Sequence, residues 1–449
     1  MQVIESGTLP VYSWAPDLEP GALQQALHCA QLPVAHHHVA VMADGHQGYG
    51  VPIGAVLAVK DAISPYAAGN DIGCGMAIVP TTLAVEDFLS PLATKAGVSG
   101  PVARDEVMGR AQAAIPSGSD SHRHPIVDPS VDALLHAAFD ALEEASTLTG
   151  LRLSTTNSPD SDKGELLTRE GFVHRGRSQA GTLGSGNHFI EMLESPDGKV
   201  WVMLHSGSRG VGSMVCNNFH RMALRSAAES GHRLPDPGLA WLPVGDGEDR
   251  WERVGRCYER ALRASLDYAE RNRRRMLETL AGVLGRHFGD VMTWDEMVNI
   301  HHNDATPEDH YGQTVWVHRK GAVKATPETP TITPGSMGTG TYIGRGLGKP
   351  ESFSSCSHGA GRVMSRAEAR RALSLQQQLE SVRQAGGKVF ARNKEAVLDE
   401  MPGAYKDLDD VMANQADLVE PVMHLTPLAT YKGADRPRRK KGSRPEEER

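Results

Sequence analysis

Histidine, aspartate, asparagine and cysteine gather in this chain inside segments otherwise made of glycine and other small residues. These are ADGHQGYGVPIG (43–54), GNDIGCGM (69–76), GTLGSGNHFIE (181–191), LHSGSRG (204–210), IHHNDA (300–305), PGSMGTGTYIGRG (334–346) and SHGAGR (357–362). Glycine is entropically costly in regular structure, so its repeated pairing with polar side chains points to backbone packed close to a ligand. In GNDIGCGM, Asp71 and Cys74 are three residues apart, and a turn lets both side chains reach one ion. A thiolate is a soft ligand that can bridge two metals, and carboxylate and imidazole complete sites suited to Mn2+, Zn2+ or Fe2+. The bland alternative has Asp71 satisfying the turn backbone and Cys74 filling space as a small hydrophobe.

His188 follows GSGN and His205 ends VWVMLHSG, seventeen residues later. That separation fits two adjacent strands whose ends meet at one edge and bring both imidazoles together. His301-His302 adds a further candidate ligand, of which only one imidazole faces a given site. His36-His37-His38 lacks glycine and reads as structural. SHGAGR differs in kind: Gly359 and Gly361 expose backbone N–H groups, and the Arg362 guanidinium can hold a phosphate in bidentate fashion. An imidazole at His358 beside such a cradle can act as a base or a covalent nucleophile. The alternative is a capped turn before a helix starting near Ser365.

The elements that must position these groups are coarsely legible. Strand-like runs occur around residues 38–43, 53–60, 75–82, 187–193, 200–205, 313–318 and 420–431. Asp128-Pro129 reads as an N-cap followed by proline at the first helical position, with Val131, Leu135, Phe139 and Leu142 on one face. A second helix, roughly 248–285, spaces Val254, Tyr258, Ala261, Tyr268 and Met276 helically, and its arginines Arg271, Arg273, Arg274 and Arg275 read as a solvated face. The polar stretch 153–180 reads as a loop. The alternation lacks a regular βαβ rhythm and no internal repeat is found, so one large α+β unit, mixed sheets flanked by helices, is expected.

Composition narrows the class. The chain has 449 residues, 39% hydrophobic, with 47 Lys+Arg against 55 Asp+Glu and a net charge of −8. A charged fraction of 23% excludes a disordered polymer. No run reaches the ~20 apolar residues of a membrane span, the start lacks a signal-peptide layout, and five scattered cysteines suit reduced thiols. A cytoplasmic protein with no membrane partner is expected.

The motifs DGHQGYGVPIG, GNDIGCGM, GNHFIE, LHSGSRG, HHN, VHRKGA, PGSMGT, SHGAGR, PGAYKD and a late YKG occur in the order found in the RtcB family of RNA ligases, and the resemblance runs from about residue 40 to Lys432. It implies an RtcB-like catalytic domain over 1–433, followed by a charged, disordered tail over 434–449. The implied activity joins RNA bearing a 2′,3′-cyclic phosphate or 3′-phosphate to a 5′-hydroxyl end, in tRNA splicing or RNA repair, using GTP and two Mn2+ ions per chain. An archease-type activating protein is an implied partner. The resemblance makes Cys74 the shared ligand of two ions, with Asp71, His188, His205 and His302 as the others, and makes His358 the residue that takes GMP covalently. Asn187, Asn303 and Arg362 match groups around the nucleotide phosphate. Glu191, Ser336, Thr341, Tyr405 and Lys432 match the guanosine pocket, and Arg209 and Lys320 match positions that hold RNA phosphates. Thr341 stands where some relatives carry Ser, and the tail past Lys432 is extra. The arginines at 271–275 and the basic tail are further RNA candidates, since local patches rather than net charge govern association.

Two rival readings remain at this point. A binuclear phosphoesterase would use the same Asp71/Cys74/His cluster with His358 as general acid, but leaves Tyr405 and Lys432 without a task. A non-catalytic RNA-binding or metal-storage protein leaves the whole set idle.

Overall fold

VPIGAVLAV, the strand Val51–Val59, is an almost unbroken apolar run. Such a run suits a strand covered on both faces, and in the computed structural model, which describes residues 1–5, 8–93, 99–156 and 165–434, it lies inside a sheet. That six-stranded sheet runs Gln2–Ile4, Val11–Ser13, Ala35–Tyr49, Val51–Val59, Gln313–Lys320, Asn303–His310. A second, eight-stranded sheet runs Val298–His301, Gly75–Ala84, Lys199–Ser206, Phe189–Glu194, Val419–Lys432, Thr341–Gly346, Pro330–Pro334, with Val389–Phe390 pairing parallel to Val419–Lys432. All seven strand expectations correspond to strands of these sheets. The result is the expected α+β architecture.

Helices cover the sheets. Asp128 caps Pro129–Thr149 by accepting from Ser130 N, and Asp249 caps Arg250–Phe288 by accepting from Trp251 N and Glu252 N. Val131, Leu135, Phe139 and Leu142 of the first join Val254, Tyr258, Ala261 and Tyr268 of the second in one core against the six-stranded sheet. The later turns of the long helix turn to the other sheet, where Met276, Leu277, Leu280 and Leu284 pack with Ala77, Val79, Val202 and Leu204. One 39-residue helix therefore spans both sheets.

The sheets are joined where the site lies. Val298–His301 ends the eight-stranded sheet and Asn303–His310 begins an edge strand of the six-stranded one, so His302 is the residue at which the chain crosses over. The crossing is pinned by His302 N donating to Cys74 O (2.9 Å) and Gly321 N donating to His302 O (2.7 Å). It also depends on Gly75: a Cβ there would sit 2.0 Å from Ile300 O.

Two expectations are corrected. The stretch 153–180 is not all loop. Arg169–Gln179 is a helix capped by Thr168, and residues 157–164 lie outside the described residues. Its apolar content is small, but Phe172 and Val173 are buried, and Gly176 lets it approach Leu135, whose Cδ2 would lie 2.3 Å from a Cβ at that position. Nor are the arginines of 271–275 all solvated: Arg273 is completely buried and so cannot reach RNA. The others are more accessible; Arg274 meets Glu278 and lies over Trp294, and Arg275 pairs with Asp128. His38 is buried between Tyr12 and Phe353, consistent with a structural role. The tail expectation, for residues 435–449, lies outside the described residues. Among the described residues no helix is long and apolar enough to cross a membrane.

Candidate active site

Phe189 faces His205 across the Phe189–Glu194/Lys199–Ser206 pair, so the residue before one strand and the penultimate residue of the other meet at a common edge. Gly75, paired with Ser206 and His301, delivers Cys74 to the same edge, and the crossover delivers His302. Cys74 Sγ lies 3.4 Å from His188 Nε2 and 3.2 Å from His205 Nε2. His205 Nε2 lies 3.2 Å from His302 Nε2, and Asp71 Oδ2 lies 3.1 Å from His188 Nε2. Two ligand groups result, Asp71/Cys74/His188 and Cys74/His205/His302, each with its ligand atoms within 4.8 Å of one another and with the thiol common to both. Asp71 reaches this position because residue 207 is glycine: a Cβ there would stand 2.3 Å from its Oδ2.

The chemistry of this donor set fits divalent cations. Burial, then the charge of a neighbour (His302 on His205, His358 on His302), holds both well below the usual imidazole range, so both are neutral with lone pairs to offer. His188 Nδ1 donates to Leu183 O (2.8 Å), which fixes the ring and turns Nε2 towards Asp71 and Cys74 as the ligand atom. Burial alone would raise the Asp71 carboxyl, but its bond to His188 and the charges of His188 and Arg209 outweigh that and keep it low. Burial, then Asp71, pushes the Cys74 thiol well above its ordinary range, so a thiolate here needs a cation to offset its charge.

Arg273 holds this assembly from behind. Its guanidinium donates to Gly73 O (2.6 Å), Ser206 O (2.9 Å) and Asn299 Oδ1 (2.6 Å) and lies 3.1 Å from His301 Nδ1. One side chain thus ties together the turn that carries Cys74, the strand that carries His205 and the crossover that carries His302.

His358 follows the short strand Ser355–Ser357, and its ring centroid is 4.8 Å from that of His302. Its Nδ1 bonds Asp44 Oδ2 at 2.6 Å. Asp44 is fully buried in the strand Ala35–Tyr49. With Nδ1 so held, Nε2 is the free nitrogen. His358, Cys74, His205 and His302 line one cavity of about 840 Å³, together with Asn187, Glu191, Asn303, Lys320, Ser336, Arg362, Tyr405 and Lys432.

In the lining of the same cavity a buried carboxylate, Glu400, gathers several donors. Lys432 Nζ is 3.0 Å from Oε2, which also accepts from the Tyr405 hydroxyl. Arg362 Nη1 is 3.2 Å from Oε1, where Arg366 also pairs. Burial opposes ionisation of Glu400, but Lys432, Arg366, Tyr405 and Arg362 hold its carboxyl down at about 2. Glu191 accepts from Thr430 Oγ1 (2.6 Å), and burial pushes it up to about 7.

Several expected residues are already engaged by the protein. Arg362 also donates to Asp399 O (2.6 Å) and Met364 O (3.1 Å). Asn303 braces Asp71 O (3.1 Å) and Gly321 N (2.9 Å). Lys320 Nζ donates to Tyr49 O (2.6 Å) and Val51 O (2.8 Å), and burial lowers it to about 8. Arg209 donates to Gly118 O (2.9 Å) and Thr182 Oγ1 (3.1 Å), outside the cavity lining. Ser336 lines the cavity with its hydroxyl 3.2 Å from that of Thr339, whereas the Thr341 hydroxyl faces Met203 Sδ at 3.8 Å and lies outside the lining.

Sequence reasoning does not single out Asp44, Glu400 and Arg366, and it reads Arg273 only as part of a solvated, RNA-facing arginine run. For Arg273 a signal existed: it is four residues after Ala269 and four before Leu277, both buried, so it lies on the inward stripe of the helix. Asp44 sits inside a glycine-rich motif, but nothing local says which histidine it serves. Glu400 precedes PGAYKD with no distinguishing pattern at all.

Comparison with known proteins agrees with this geometry. The family profile described as tRNA-splicing ligase RtcB matches residues 25–433. The chain is 36% identical over 444 residues to the RNA-splicing ligase RtcB of Escherichia coli K12, an alignment covering 96% of this chain and 99% of that one. It is 33% identical over 473 residues to the tRNA-splicing ligase RtcB of Archaeoglobus fulgidus, covering 93% and 92%. With the RNA-splicing ligase RtcB of Mycobacterium tuberculosis it shares 30% identity over 455 residues, covering 91% and 100%. The chain belongs to the RtcB family and is an RNA ligase.

Proposed function

We propose that this ligase joins RNA ends bearing a 2′,3′-cyclic phosphate or 3′-phosphate to 5′-hydroxyl ends, with GTP as co-substrate and two Mn2+ ions, in tRNA splicing or RNA repair. The observation that carries the reading is one thiol shared by two ligand groups, beside a histidine whose Nδ1 is occupied by a buried carboxylate. When bound, the ions supply Lewis-acid stabilisation of charge on phosphoryl oxygens.

Asp44 holds the Nδ1 proton of His358, so the Nε2 lone pair is presented to the α-phosphorus of GTP. The Nε2–P bond forms as the bond to pyrophosphate breaks. The RNA 3′-phosphate, after hydrolysis of any cyclic ester, then takes GMP from His358, giving an RNA-3′-pp-G end. The 5′-hydroxyl oxygen attacks the RNA phosphorus of that end and GMP leaves. Asn187, Asn303 and Arg362 are assigned to the nucleotide phosphate. Glu191, Ser336, Tyr405 and Lys432 are assigned to guanosine, with Thr341 supporting that wall, and Arg209 and Lys320 to RNA phosphates. An archease-type activator is the partner this reading carries with it, and the free cysteines suit a reducing cytoplasm.

Incubation with α-labelled GTP and Mn2+, followed by denaturing electrophoresis, tests the proposal. The expected band survives denaturation, is lost in acid and is absent in His358→Ala. RNA phosphatase activity without any such band supports a binuclear phosphoesterase instead.

A further inference from the structure

Glu400 divides its two oxygens between two sets of donors. Oε2 meets Lys432 and Tyr405, whereas Oε1 meets Arg362 and Arg366. Lys432 ends the strand Val419–Lys432, and Tyr405 follows the turn Pro402–Ala404. Arg362 belongs to the segment just after His358, and a backbone bridge pairs it with Tyr405. Three parts of the chain therefore meet on one carboxylate that is itself 2% exposed.

We propose that Glu400 is the positioning residue that sets nucleotide selectivity, by orienting the Lys432 ammonium and coupling the base end of the pocket to its phosphate end. The inference rests on the assignment of Lys432 to guanosine. An ammonium only donates hydrogen bonds, and the edge of guanine offers O6 and N7 acceptors where adenine carries an amino donor at position 6. A lysine aimed at that edge thus favours guanine as long as its direction is fixed. Lys432 is buried beside a second cation, Arg366, and the Phe189 ring lies 5.3 Å from its Nζ. Of the two carboxylates near it, Glu191 accepts from Thr430 through Oε1, whereas Glu400 Oε2 lies 3.0 Å from Nζ and fixes its direction. The other oxygen of the same carboxylate fixes Arg362, so the two ends of the pocket share one anchor.

Glu400→Gln keeps the size of the side chain but leaves one acceptor oxygen and turns an NH2 group on two of the four donors. The GTP-to-ATP preference of the variant is expected to fall roughly tenfold, the equivalent of one misdirected hydrogen bond to a charged group. In a Lys432→Met background the same change is expected to leave the preference where Lys432→Met alone puts it, although both nucleotides lose rate through Arg362. Preference is read from covalent labelling and, independently, from calorimetric binding of GTP and ATP. Wild-type protein that binds GTP selectively yet takes no label overturns the covalent reading, and the binding ratios still decide this one. Equal binding of GTP and ATP by wild type, or a Glu400→Gln variant that loses rate with its preference intact, overturns the inference. If Glu400→Gln alone does not fold, the double variant, which removes both buried charges, is compared with Lys432→Met. A further drop in preference there overturns the proposal, and an unchanged preference supports it.

Discussion

Asp44 Oδ2 accepts from both the ring Nδ1 and the backbone N–H of His358, at 2.6 and 3.2 Å, although the two residues are 314 positions apart. The carboxylate thus sets the tautomer of the imidazole and the place of its main chain together. Asp44→Asn should keep the fold while removing the preference for a proton on Nδ1. The labelling rate with GTP should fall by roughly two to four orders of magnitude, as when an orienting carboxylate is lost from a catalytic histidine. Single-turnover labelling at saturating GTP measures it, and an unchanged rate would show that Asp44 only fills space.

Cys74→Ala should remove the ligand common to both groups, so binding of both ions should weaken, not of one alone. Because a thiolate and neutral imidazoles are the ligands, metal affinity of the wild type should fall as pH falls. Titration calorimetry with Mn2+ gives stoichiometry and pH dependence. Two ions bound by Cys74→Ala at wild-type affinity would exclude the shared-ligand assignment.

Arg273→Met should destabilise the fold by about 1–3 kcal/mol for each buried acceptor it leaves unpaired. It strips a donor from Gly73, Ser206 and Asn299 at once. Since these flank Cys74, His205 and the crossover to His302, Mn2+ affinity should drop as well. Chemical denaturation and metal titration on the same sample check the coupling. Lost stability with intact metal affinity would mean the clamp does not govern the ligands.

Glu308 and Arg319 form a buried pair at 2.7 Å, with His310 and Thr306 also bonding the carboxylate. Burial raises the Glu308 carboxyl, but His310 and Arg319 outweigh it and the net shift is downward. A depressed folded value means the pair contributes fully above the unfolded value of ~4.3 and loses its contribution as pH falls through the folded value. Glu308→Gln should therefore destabilise the protein at pH 7 by about 3–5 kcal/mol. It should also weaken the acid dependence of unfolding. Denaturation midpoints measured from neutral to acid pH test both, and parallel curves for variant and wild type would contradict it.

Arg436, Arg438, Arg439, Lys440, Lys441 and Arg444 are partly offset by Glu446, Glu447 and Glu448. Ala434 just before them is buried, accepts from Ser117 Oγ (3.3 Å) and follows Gly433, whose N–H donates to His188 O (3.1 Å). Gly433 and Ala434 therefore lie beside the loop that carries His188. Removing residues 435–449 should leave GTP labelling unchanged, weaken RNA binding and flatten its salt dependence by roughly 0.7 in log–log slope per lost phosphate contact. Equal RNA affinities across salt concentrations would reduce the tail to a solubilising end.

The sequence alone determined the parts written in local patterns. Apolar runs such as VPIGAVLAV and GMAIVP became buried strands. The Asp128 cap opened the first long helix, and the spacing of His188 and His205 placed both at one strand edge. The helix Arg169–Gln179 escaped notice because its apolar face is two residues deep and its stability comes from Leu135 packing over Gly176, a contact with no local trace.

Only the tertiary structure decided which candidate groups act on one another. His302 rather than His301 faces the thiol because the chain changes sheets there, while His301 turns to Arg273. Asp44 meets His358, Arg273 meets three ligand-bearing segments, and Glu400 meets Lys432 and Arg362 across long stretches of sequence. A hydropathy period records which way a side chain faces but not its partner. Buried charges such as Arg273, Arg319 and Glu400 are tolerated only once the fold has brought their counter-charges or acceptors within hydrogen-bond reach.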